Sequence, residues 1–287
     1  MSSRTAGAVD QTRRRDITRT VVLLLGVIPL LFPLWWLVSA SFMGLGEIYE
    51  YPPSLLPDSL DLENSKQVFA LQPFGRQLFN SFYIASINVV GTLIFASLAG
   101  YAFARLKFPG RNILFVLMLT ALLMPLEVMA VPLFAVFKHL GWLGSHIPLW
   151  VLPVLGADGV VGVFLMRQHF LSMPRELEDT GRIDGLGRFG VFWHIALPLA
   201  KPALATVAIL VFLASWNMFL EPLIFVSGIP ERLTVPVAIP LYQDSYGLTN
   251  GPVQMAASTL SILPVIVIFI FFQRSIVQGF GRVGICG

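Results

Sequence analysis

Long apolar stretches alternate with short charged ones along the whole chain. Thr20–Gly46, Gln77–Ala104 and Ser245–Gln273 contain no Asp, Glu, Lys or Arg. Asn112–Phe137, His139–Met166 and Pro202–Pro230 each contain one acid, in turn Glu127, Asp158 and Glu221. A helix crosses the hydrocarbon core of a bilayer with about 20 apolar residues. The pattern therefore predicts an all-α polytopic membrane protein with six transmembrane helices, at roughly 20–43, 78–103, 112–137, 147–169, 202–226 and 254–274. Pro29, Pro33, Pro125, Pro132, Pro153, Pro222 and Pro264 are expected to bend some of them, which neighbouring helices tolerate. Residues 1–19 and 275–287 read as tails, and 20–274 as one membrane domain. Val38-Ser39-Ala40 has the look of a cleavage site, but the apolar run before it is too long for a signal core, so the first segment reads as a span.

Composition agrees. Only 12% of the 287 residues are charged, against about 25% in a soluble domain. The deficit places much of the surface against lipid. A net charge of +3, with Arg and Lys at span boundaries, gives no nucleic-acid surface. The one cysteine, Cys286, has no intrachain partner, and no metal-ligand spacing occurs.

Charge also sets orientation. Six spans put both termini on one side. The segments on that side hold fifteen Lys and Arg, and those on the other hold four: Lys66, Arg76, Lys138 and Arg232. The positive-inside rule makes the first side cytoplasmic. Two long outer segments, Gly44–Arg76 and Ser227–Val253, are Pro-rich and placed to meet an external partner.

The most distinctive polar segment is the cytoplasmic loop 170–201, whose centre reads PRELEDTGRIDGLGRFGVFWHIALP at Pro174–Pro198. Ser172-Met173-Pro174 predicts a helix start, with Ser172 as the cap and Glu176, Glu178 and Asp179 favoured at the positive end of the helix dipole. Gly181 and Gly185 are expected to break this helix. A second helix over about Leu186–Ala196 would align Phe189, Phe192, Trp193 and Ala196 as one apolar stripe.

This loop resembles the segment by which permeases of carbohydrate-type, binding-protein-dependent ABC importers contact their ATPase, written EAA-x3-G-x9-I-x-L-P. Asp179-Thr180-Gly181 stands in place of EAA, and Gly185, Ile195, Leu197 and Pro198 keep the spacing. The resemblance extends to Asn80-Ser81-Phe82, LAGYAFARLKFPGR at Leu98–Arg111, MPLEVMAVPLF at Met124–Phe134, FLMRQHFLSMPRELED at Phe164–Asp179, Lys201–Leu223 and Gly251–Ser258. It implies a type I (MetI-like), maltose-permease-like bundle in a bacterial inner membrane. It also implies ATPase coupling through Glu178, Asp179, Thr180, Gly181, Asp184 and Gly185. The implied partners are a second permease subunit of different sequence, two ATPase subunits and an external solute-binding protein. The implied cargo is a sugar or related polyol, with glycerol phosphate or an amino acid as alternatives. A self-contained secondary transporter is the rival from another class, and it leaves the loop unexplained.

No G-x4-G-K-[ST] motif occurs, so ATP and Mg are expected on the partner ATPase and no cofactor on this chain. Neither H-E-x-x-H nor G-x-S-x-G occurs, and no enzymatic role is expected. Polar groups inside spans mark candidate path residues. In a straight third helix from Asn112, Glu127 sits about 23 Å along, 15 residues at about 1.5 Å each. Asn217 falls at a similar depth in a helix starting at Pro202, with Trp216 beside it and Glu221 one turn higher. Carboxylates and amides bond sugar hydroxyls, and indole faces stack on sugar rings. Asp158 and Asn88 lie nearer the midplane and complete the candidate path set.

Overall fold

The computed structural model describes residues 3–244 and 246–283, and every regular element among them is helical. The principal helices are α1 (Ser3–Ala40), α2 (Phe74–Arg105), α3 (Arg111–Thr120), α4 (Leu126–His139), α5 (Pro148–Leu155), α6 (Ala157–Ser172), α7 (Arg175–Ile183), α8 (Arg188–Val191), α9 (Lys201–Trp216), α10 (Leu220–Phe225) and α11 (Gly251–Val283). The chain divides into two compact units, Met1–Leu71 with Tyr242–Ile262, and Gln72–Leu241 with Leu263–Gly287. In the first, Asn64 Nδ2 donates to the carbonyls of Ser41 and Met43, fastening the short helix Glu63–Leu71 to the end of α1.

Four helical segments among the described residues are long and apolar enough to cross a membrane: Leu23–Ala40, Phe74–Arg105, Pro148–Ser172 and Gly251–Ile270. Six are reached when each of two bent pairs counts as one span. The predicted third span is one of these pairs. A 3₁₀ turn, Ala121–Leu123, follows α3, and α4 then departs at 99°. The cause is Pro125. It offers no backbone N–H and forces Met124 into extended backbone (φ −95°, ψ 104°), which ends the helix. The straight helix 112–137, and the depth of Glu127 inferred from it, are thus corrected. The second pair joins Arg188–Leu199 to α9 at 74°, so the predicted span 202–226 is corrected: its helix ends at Trp216, and the short helix α10 follows separately. The outer helices overrun the predicted tails, since α1 begins at Ser3 and α11 reaches Val283. Cys286 lies outside the described residues.

The core of the second unit forms around α2, whose 32 residues extend for about 48 Å. Asn88, Thr92, Ala96, Gly100 and Ala104 recur at every fourth position and are all buried. Small side chains let α6 come close. A Cβ on Gly162 would lie 3.0 Å from Ala96 Cβ, and one on Gly100 only 2.7 Å from Met166 Cβ. Lipid tails offer nothing less apolar than Leu, so helices associate in a bilayer by such close packing.

Candidate functional site

The charged loop folds back on the end of α2. Ser172 does not cap α7. It is the last residue of α6 and donates to the His169 carbonyl, and Pro174 occupies the cap position without a side-chain hydrogen bond. Helix α7 runs through Gly181 without a break, also contrary to expectation. Gly181 is buried against Ile195, whose Cδ1 would lie 2.3 Å from a Cβ placed there. The stop comes at Gly185, with φ +88°. Its N–H donates to the Arg182 carbonyl and that of Leu186 to the Gly181 carbonyl, closing the helix in a Schellman motif.

Neighbouring acids on α7 meet different surroundings. Glu178 turns inward and Asp179 outward. The side chains of Arg105 and Glu178 are only 5% and 4% exposed, with Nε 2.9 Å from Oε1. That N–H does not point along the line between them, so the contact is an ion pair rather than an aligned hydrogen bond. Tyr101 donates to the other carboxylate oxygen at 3.4 Å, and Arg105 Nη2 donates to the Met173 carbonyl at 2.5 Å. Tyr101 itself packs edge-on against Phe170 and at a tilt against Phe192. The end of α2 therefore holds α7 through charge and through aromatic packing. Asp179 pairs with Arg182 at 2.8 Å in the open, where such pairs contribute about 0–1 kcal/mol. Thr180, Asp184 and Gly185 are exposed, and Ile183 is 86% exposed.

The second helix forms, from Arg188, but its single apolar stripe is corrected. Helix α8 passes into a π-helical turn, Phe192–Ala196, which rotates the apolar stripe out of register. Phe192 and Ala196 are buried, whereas Phe189 and Trp193 stack on each other outside.

The candidate path residues separate into two groups. Glu221, on α10, lies within electrostatic range of Asp158 and Glu127, so α10, α6 and α4 gather three acids that are scattered in sequence. Asn217 ends α9 with its amide exposed and bonded to the Leu213 carbonyl, so it is not one turn below Glu221 on a continuous helix. Trp216 is buried against Phe212 and Ala85. Asn88 is fully buried and donates to the Leu149 carbonyl and to Ser215 Oγ, each at 3.0 Å. These contacts make Asn88 a cross-link between helices.

Sequence reasoning missed the clamp near the start of α2. Gln77 donates to the Pro230 carbonyl, Asn80 to those of Glu231 and Leu233, and Ser81 accepts from the Val235 N–H. These side chains hold the segment 230–235 by its backbone. His146 joins them. Its Nε2 lies 2.7 Å from the Arg232 carbonyl, which can only accept, so Nε2 carries the proton and Nδ1 accepts from Tyr83. Burial pushes the His146 imidazole below the ordinary histidine value. The Arg232 and Arg76 charges add to this, against the opposing backbone hydrogen bond. The native state thus favours neutral His146. Its contribution to stability is complete above the unfolded value near 6.5 and is lost as pH falls through the lower folded value. Thermal stability should fall as pH drops below about 6.5, and His146→Gln should flatten that part of the profile; an unchanged slope in the variant would remove His146 as the cause.

Residues 92–282 match the family model for the binding-protein-dependent transport system inner membrane component. The chain belongs to that family and is a multi-pass permease subunit of an ABC importer. It is 37% identical over 259 residues to the arabinooligosaccharides transport system permease protein AraQ of Halalkalibacterium halodurans, covering 89% of this chain and 91% of the relative. It is 32% identical to the sn-glycerol-3-phosphate transport system permease protein UgpE of Yersinia enterocolitica, covering 94% and 98%. Among solved structures it resembles a bacterial ABC transporter involved in the import of the acidic polysaccharide alginate, with a TM-score of 0.77 over 91% of this chain and 96% of that one at 22% identity, a likeness of fold.

Proposed function

We propose that this permease carries a neutral sugar or related polyol across a bacterial plasma membrane, with both termini in the cytoplasm. Two ATPase subunits on the cytoplasmic side bind ATP and Mg, and this chain binds no cofactor. A second, different permease subunit completes the path, and an external solute-binding protein delivers the cargo. ATPase movement enters through the exposed face of α7, where Asp179, Thr180, Asp184 and Gly185 lie, and passes to α2 through Glu178, with Gly181 keeping α7 close to Ile195. The observation that carries this reading is the buried Glu178–Arg105 pair beneath a helix whose other face is exposed. A helix fastened by charge on one face and open on the other transmits a push instead of absorbing it.

The solute class rests on the three acids. Glu127, Asp158 and Glu221 offer hydrogen-bond acceptors to hydroxyls, and their charge opposes a phosphate. A neutral polyol therefore fits this layer better than the glycerol phosphate named for one relative. Asn217 and Trp216 border the same break in the fifth span, whereas Asn88 acts by holding the helices around the path.

Asp179→Lys should abolish uptake in the assembled transporter, because like charges at an interface cost several kcal/mol. Parental uptake with intact ATPase co-purification would end the coupling assignment. In the same assay, Glu221→Gln should weaken sugar uptake several-fold, a lost hydrogen bond to solute costing about 1–3 kcal/mol. Unchanged uptake, or competition by glycerol phosphate as strong as by sugar, would overturn the solute assignment.

A further inference from the structure

The turn joining α2 to α3 and the coupling helix α7 enclose a cleft of about 600 Å³. Six cations face it, Arg105, Lys107, Arg111, Arg175, Arg182 and Arg188, against the two acids Glu178 and Asp179. Both acids are already engaged, Glu178 by Arg105 and Asp179 by Arg182. Among the described residues, no ion pair joins Lys107, Arg111, Arg175 or Arg188 to an acid. The Arg111 guanidinium bonds the Asn112 side chain and the Leu106 carbonyl. The cleft thus holds four cations without counter-charge, gathered from three segments of the chain.

A second hollow, of about 560 Å³, shares Lys107, Arg111 and Arg175 with the first. It continues past Phe108 and Asn112 to Ile113. There the flank of α3 is apolar and open, with Ile113 68% and Leu114 51% exposed. Arg105 ends one span and Arg111 begins the next, so both stand at the level of lipid headgroups. Cationic recess and apolar flank together match an amphiphile with an anionic head. A soluble anion would use only the recess.

We propose that this cleft binds the phosphate of an anionic phospholipid, with Lys107, Arg111, Arg175 and Arg188 around the headgroup and the acyl chains along α3. Basic pockets between membrane helices hold anionic headgroups by this chemistry. The bound lipid is wedged between α7 and the end of α2, so the charge of the surrounding bilayer sets how firmly the coupling helix is seated. The site does not depend on which solute is carried.

The test uses the complete transport complex in nanodiscs of phosphatidylcholine with phosphatidylglycerol, reading retained lipid by native mass spectrometry. Phosphatidylglycerol should be retained about tenfold or more over phosphatidylcholine. Lys107→Gln combined with Arg175→Gln should remove most of that preference, and Lys107→Arg should keep it. Equal retention of the two lipids, or an unaltered preference in the double variant, would overturn the proposal. So would a preference seen only after the ATPase subunits are stripped away, since the cleft would then be covered in the complex. Inorganic pyrophosphate at millimolar concentration should not displace the lipid; displacement would reassign the recess to a soluble anion. If the double variant fails to assemble, the unmodified complex still decides, because the preference must collapse at about 0.5 M salt. Persistence at that ionic strength would overturn the proposal equally.

Discussion

Arg105→Leu should destabilise the permease by about 3–5 kcal/mol, because it leaves the buried Glu178 carboxylate without its principal counter-charge. The effect should fall near the lower end of that range. Arg182 lies 3.6 Å from the other carboxylate oxygen and, half exposed, supplies a weaker second cation. The melting temperature of the purified complex measures the loss. Combining Arg105→Leu with Glu178→Leu removes both charges and should recover most of the stability, since an apolar pair of similar volume often replaces a buried ion pair at little cost. Uptake should stay low in the double variant, because the charge attachment between α7 and α2 is gone. A single variant that melts with the parent would show that Arg105 and Glu178 do not depend on each other. A double variant with parental uptake would show that packing alone couples α7 to the spans.

Gly100→Val should prevent assembly. The new Cβ would lie 2.7 Å from Met166 Cβ and 3.0 Å from the Arg167 backbone nitrogen, and a backbone atom of a packed helix has nowhere to swing. Overpacking costs about 1–3 kcal/mol or more. Here it also separates α2 from α6 along the stripe of small residues that lets them touch. Gly75→Val, on the same helix with nothing within 4 Å of the added Cβ, is the control and should express and assemble normally. Equal yields of assembled complex from the two variants would refute the close-packing account.

The spans were legible because lipid makes local composition decisive. A backbone in hydrocarbon must satisfy its own hydrogen bonds, so an apolar run of sufficient length is a helix. The loop at 174–198 was legible by its charges, glycines and spacing. Its internal geometry was not. Ser172 has the chemistry of a cap, but α6 extends over it. Gly181 has the propensity of a breaker, but close packing on Ile195 retains it inside α7. Pro125 was expected to bend a helix and instead turns the chain through 99°. A proline signals a break, whereas the angle depends on what each half packs against. The clamp on 230–235 left only a faint trace in sequence, as polar Gln77, Asn80 and Ser81 at the head of an otherwise apolar span. Nothing near them named the backbone they hold.

By itself the sequence determined the helical class, the candidate spans, the basic side and the position of the charged loop. Each follows from residues close together in the chain. Only the tertiary structure decided that Glu178 faces inward and Asp179 outward. Consecutive residues on a helix point about 100° apart, and the side that turns inward is chosen by partners distant in sequence. Arg105 and Tyr101 come from α2, and Ile195 from the π turn. The same holds for the gathering of Glu127, Asp158 and Glu221, and of the cations around the α7 cleft. Charge can be counted along a chain, but whether it is paired, buried or concentrated depends on how the helices pack.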